Sequence, residues 1–106
     1  MEELYRQEII ELTELLNTDE HWADLKSILI SAGIDLSKTV LASFMEDDKE
    51  NEYGVIVSKD LTIYSYSRNI NIGNLELTDI TRNEDELSKY PQVAIAVKMI
   101  KNGEIL

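Results

Sequence analysis

The sequence predicts an α+β domain with two N-terminal helices, an antiparallel sheet of three to four strands and one C-terminal helix. Apolar residues recur at three- and four-residue spacing as far as Gly33, give way to alternation over Thr39 to Met45 and again over Leu61 to Ser67, and return to the helical spacing after Pro91. The predicted strands follow one another without a helix between them, so they pair as hairpins and not as crossover units. With 106 residues there is length for one hydrophobic core, and residues 1–106 read as a single domain.

Glu3 to Leu16 puts Leu4, Tyr5, Ile9, Leu12, Leu15 and Leu16 on one stripe, with Glu2, Glu3, Glu8, Glu11 and Glu14 largely between them. That is an amphipathic helix with an acidic outer face. Asn17 or Thr18 is the expected cap of a second helix, because Asp19 and Glu20 then fall in its first turn, where carboxylates complement unpaired amides, and Gly33 stops it. Trp22, Leu25, Ile28 and Leu29 form its buried stripe. Thr39 to Met45 reads as a strand with Val40, Ala42 and Phe44 on one side and Leu41, Ser43 and Met45 on the other. Glu46 to Glu52 is too polar and too like-charged for a strand, so it is expected as a solvated loop leading into the strand Tyr53 to Val57.

Ser58-Lys59-Asp60 turns the chain into a third strand, Leu61 to Ser67, although Leu61 stands where a tight turn would carry glycine. Thr62, Tyr64 and Tyr66 alternate there with Ile63, Ser65 and Ser67. Arg68 to Asn74, rich in Asn and containing Gly73, is expected as a turn or bulged edge before a weaker strand around Leu75 to Ile80. Thr81 to Lys89 has room for one helical turn. Pro91, favoured at a first helical position, then opens a helix running to Asn102-Gly103, with Val93, Ala96, Val97 and Ile100 buried.

Hydrophobic residues make up 43% of the chain and charged residues 29%, an ordinary globular balance that argues against disorder. The sign of the charge is not ordinary. Asp and Glu number 21 against 10 Lys and Arg, giving a net charge of −11. Such a chain repels nucleic acid and anionic membrane, since both bind through Lys and Arg. The excess is clustered: residues 1–24 carry −7 and residues 46–52 carry −4, which together equal the whole net charge. Clustered charge serves solubility, or it steers association with a basic protein. Without cysteine there is no disulfide, thiolate catalysis or Cys-ligated metal. Met1-Glu2-Glu3 is acidic where a signal peptide is basic, and no apolar run reaches the roughly 18 residues of a membrane span, so a cytoplasmic protein is expected.

Catalytic signatures are weak. His21 is the single histidine, beside Asp19, Glu20 and Asp24, and the plain reading is a surface side chain; zinc sites draw on several His or Cys. No Gly-x-Ser-x-Gly turn surrounds Ser43, Ser58, Ser65 or Ser67, and four separated glycines cannot form a phosphate-cradling loop. Tested as a calcium loop, the acidic segment fails from Asp47, which puts Lys49 at the third ligand and Glu52 at the glycine position, and also from Asp48, which puts Lys59 at the bidentate glutamate position. Neither a metal nor another cofactor is expected. Tyr64, Tyr66 and Arg68 share one strand face, with Tyr53 on a neighbouring strand. Under helices they would be amphipathic core; exposed, they would compose an interface patch.

The stretch Ser43-Phe44-Met45-Glu46-Asp47-Asp48-Lys49-Glu50-Asn51-Glu52-Tyr53-Gly54-Val55-Ile56-Val57-Ser58-Lys59-Asp60 resembles the central hairpin of small acidic immunity proteins from bacterial polymorphic-toxin systems. In those, an acidic turn leads to a Tyr-Gly-Val strand and a second turn, and a helix like Ala94 to Met99 closes the domain. The resemblance implies a non-enzymatic inhibitor that docks on a cognate toxin, commonly a nuclease with a basic cleft. Glu46, Asp47, Asp48, Glu50 and Glu52 are then the first contact residues, with Tyr53, Tyr64, Tyr66 and Arg68 beside them. Two other readings are a DNA-mimic inhibitor of a restriction or defence enzyme, which calls for carboxylates in rows at phosphate spacing, and a small metal-dependent hydrolase built on His21 with at least two of Asp19, Glu20, Asp24, Glu46 and Asp48.

Overall fold

The computed structural model describes residues 2–106. Four strands, β1 (Thr39–Glu46), β2 (Asn51–Ser58), β3 (Ile63–Asn69) and β4 (Leu75–Asp79), form an antiparallel meander in the order β1-β2-β3-β4. Helices α1 (Glu2–Thr18) and α2 (Ala23–Ser31) precede the sheet, while the single turn α3 (Glu84–Leu87) and helix α4 (Pro91–Lys101) follow it. This is the α+β architecture that the change of period predicts. Among the described residues no helix is long and apolar enough to cross a membrane.

Alternation along β2 divides the core into two layers. Val55 and Val57 join Val40, Ala42 and Ile63 beneath Ile9 of α1 and Val93, Ala96 and Met99 of α4. Ile56, on the other face, joins Leu41 and Tyr66 beneath Trp22, Leu25 and Leu29. Helix α1 supplies Ile9 to one layer and Leu16 to the other, so it runs past the free edge of β1. There the buried Thr13 hydroxyl accepts the Leu41 amide at 3.1 Å, supplying that edge group with a partner in place of a fifth strand. Because α1 buries this narrow line, Leu4 and Leu15 of the predicted stripe are exposed.

Several boundaries differ from the sequence reading for identifiable reasons. Helix α1 continues through Asn17 and Thr18, whose side chains bond back to the carbonyls of Thr13 and Glu14; Asp19 is the cap, accepting the His21 amide ahead of a 3-10 turn, Glu20–Trp22. In β1 the register shifts between Leu41 and Ser43, so Ala42 is an extra residue that reverses the alternation. Phe44 therefore packs with Leu41 and Trp22, not with Val40 and Ala42. Met99 is buried in α4, while Val97 and Ile100 are only partly covered. Leu61 lies in the β2–β3 turn with φ +67°, the left-handed conformation of a glycine position, so β3 begins at Ile63. The loop expected over residues 46–52 contracts to Asp47–Glu50, because Glu46 and Asn51–Glu52 are paired in the sheet.

Candidate functional site

The β1–β2 turn is built by its own acidic residues. Asp47 accepts the backbone amides of Lys49 and Asn51, both at 2.9 Å, and the Asn51 side-chain amide at 3.1 Å. These bonds favour the ionised form, so the Asn51 amides hold the Asp47 carboxyl below its usual range. Glu50 has φ +63° and closes the turn; its carbonyl accepts the Ile70 amide at 2.9 Å, and its carboxylate is bonded by Asn71. The β3–β4 connection is thereby tied to the β1–β2 tip. Glu46, Asp47, Asp48 and Glu50 are all exposed there.

Glu52 departs from the expectation of an exposed loop carboxylate: it is fully buried in β2. Registered between Glu46 on β1 and Arg68 on β3, it accepts Arg68 Nε at 3.0 Å through one oxygen and contacts His21 Nε2 through the other. Arg68 is also buried and belongs to β3 instead of the following turn. Its guanidinium donates to the His21 carbonyl at 2.6 Å and to Asp24 at 3.3 Å, locking the 3-10 turn and the start of α2 onto the sheet. The His21 ring lies edge-on to Trp22 and Phe44, with centroids 5.0 and 6.1 Å away. A third of its side chain remains open to solvent.

Tyr66 is buried over Gly54, its cross-strand partner, and its hydroxyl accepts Trp22 Nε1 at 3.2 Å. A Cβ at position 54 would sit 2.6 Å from Cζ and 2.8 Å from the hydroxyl oxygen of Tyr66, so the glycine makes room for the ring. Burial, reinforced by Glu52, pushes the Tyr66 phenol well above its ordinary range. Tyr64 is half-buried on the same face. Tyr64, Tyr66 and Arg68 are thus the amphipathic-core alternative, and Tyr66 and Arg68 do not offer an exposed interface patch. Tyr53 does remain exposed, paired across the strands with exposed Met45. It shares a shallow groove with Ser67, Asn74 and exposed Ile72.

The predicted residues therefore separate into an exposed set, Glu46, Asp47, Asp48, Glu50 and Tyr53, and an internal set, Glu52, Tyr66 and Arg68, with Tyr64 between. Of the carboxylates considered around His21, Glu46 joins it in a cluster, and the third member is Glu52; their ligand atoms lie within 4.8 Å of one another. Sequence reasoning missed His21–Glu52 because 31 residues separate the two. Its one accessible signal was the spacing of Glu46 and Glu52, which a connection of the five residues 47–51 places opposite each other on adjacent strands. No protein-family model, curated protein or solved structure matches the chain.

Proposed function

We propose that the protein is a non-enzymatic inhibitor that binds a basic partner protein, a bacterial toxin with a nuclease domain being the class that the hairpin resemblance implies. One observation carries the reading. Exposed Glu46, Asp47, Asp48 and Glu50 gather at one end of a well-packed sheet, with exposed Met45, Tyr53 and Ile72 close by. Apolar contact area bordered by charge is the anatomy of a recognition surface, and carboxylates are suited to a cleft that otherwise accepts phosphates. Fixing the turn through Asp47, Asn69 and Asn71 supports the same reading, because a preorganised contact loop loses little freedom on binding.

Coexpression with the product of the adjacent gene tests this proposal. The expected outcome is that the neighbour is toxic alone, is tolerated in the presence of this protein, and copurifies with it at low salt. A non-toxic neighbour that does not copurify would remove the immunity reading.

A further inference from the structure

We propose that His21, Glu46 and Glu52 form a binding site for one first-row divalent transition-metal ion of the zinc class. This inference is independent of any partner. The three side chains bring one imidazole nitrogen and two carboxylate oxygens within 4.8 Å of one another. Imidazole with carboxylates suits zinc-class ions, whereas calcium and magnesium take oxygen ligands. Three protein ligands leave a tetrahedral ion one open position.

Two further features make the cluster more than an acidic patch. Its ligands come from three elements and are oriented from behind. Arg68 Nε holds one oxygen of the wholly buried Glu52, leaving the other directed at His21, while Trp22 and Phe44 fix the imidazole edge-on. Such outer contacts align first ligands in metal sites. The charge balance is also incomplete: the single guanidinium of Arg68 pairs with Glu52 and Asp24, and Glu46 adds a third anion opposite Glu52. Glu46 and Glu52 stand directly opposite each other on adjacent strands, an arrangement that is unfavourable for like charges. A dication would bring those four side chains to neutrality and sit between the opposed carboxylates.

The test uses the full chain, stripped with chelator and titrated separately with Co2+ and Zn2+. The expected result is saturation at one equivalent, with Co2+ giving the visible absorption of a low-coordinate nitrogen and oxygen site and Zn2+ displacing it. His21→Ala should abolish stoichiometric binding. Glu46→Gln, an exposed substitution that leaves the Glu52–Arg68 pair intact, should weaken binding at least about tenfold, with circular dichroism confirming the fold. Absence of one-equivalent binding by the unaltered protein, or binding indifferent to both substitutions, would overturn the proposal.

Discussion

Replacing Arg68 with Met should destabilise the protein far more than any change at the hairpin tip. The guanidinium has three acceptors: Glu52 at 3.0 Å, the His21 carbonyl at 2.6 Å and Asp24 at 3.3 Å. Asp24 is mostly exposed, so that contact contributes only a few tenths of a kcal/mol. Glu52 dominates because it has no solvent to turn to, and removing one member of a buried pair costs about 3–5 kcal/mol. For a domain whose total stability is about 5–15 kcal/mol, that is a large share. Glu52→Leu combined with Arg68→Met removes both charges, and the double variant should recover at least ~2 kcal/mol relative to the sum of the single effects. Urea unfolding followed by the fluorescence of Trp22, whose ring meets that of His21, measures all four corners of the cycle. A cost below about 1 kcal/mol for Arg68→Met, or strict additivity, would refute the buried-pair assignment.

Gly54→Ala should cost about 1–3 kcal/mol by overpacking, since the added Cβ meets the buried Tyr66 ring; an unchanged urea midpoint would contradict that packing. Leu61→Asn should raise the melting temperature by a few degrees, because Asn tolerates the φ of +67° better than Leu, and a fall would contradict the turn geometry. The pH profile should have a maximum. Ser37 holds the Asp35 carboxyl low, Ser58 and Thr62 that of Asp60, Thr81 that of Asp79 and Asn51 that of Asp47. With folded values below the unfolded ones, their contribution is complete above the ordinary value of 3.8 and is lost as pH falls through the folded values. Self-repulsion from a net charge of −11 meanwhile fades toward the isoelectric point near 4.4. Stability should therefore rise on acidification from neutrality and decline below about pH 4, and urea midpoints that fall steadily from pH 7 would contradict this balance.

The element order was legible because period is a local property: spacing of three and four marks α1, α2 and α4, and alternation marks β1 and β3. The site was less so, because burial depends on which layer covers a strand. Five carboxylates within residues 46–52 look alike in sequence, yet Glu52 is internal because Arg68 meets it across the sheet and the 3-10 turn covers both. The Ala42 bulge, which moves Phe44 to the Trp22 layer, has no marker in an otherwise regular apolar alternation. Leu61 was the opposite case: its unsuitability for a tight turn was visible, and its left-handed backbone is where that mismatch resides.

Recognition of a basic protein by the exposed acidic tip is read out by association kinetics with the coexpressed partner across a salt series. The comparison is between the unaltered protein and Asp48→Lys combined with Glu50→Lys, both exposed positions; Asp48→Lys should change folding stability by no more than about 0.5 kcal/mol, and urea unfolding checks the cost of removing the contact of Glu50 with Asn71. The association rate of the unaltered protein should fall steeply with ionic strength, and the double reversal should associate much more slowly at low salt but converge with it near 1 M, where the Debye length is about 3 Å. Equal rates for the two proteins at every ionic strength would contradict recognition by the acidic tip.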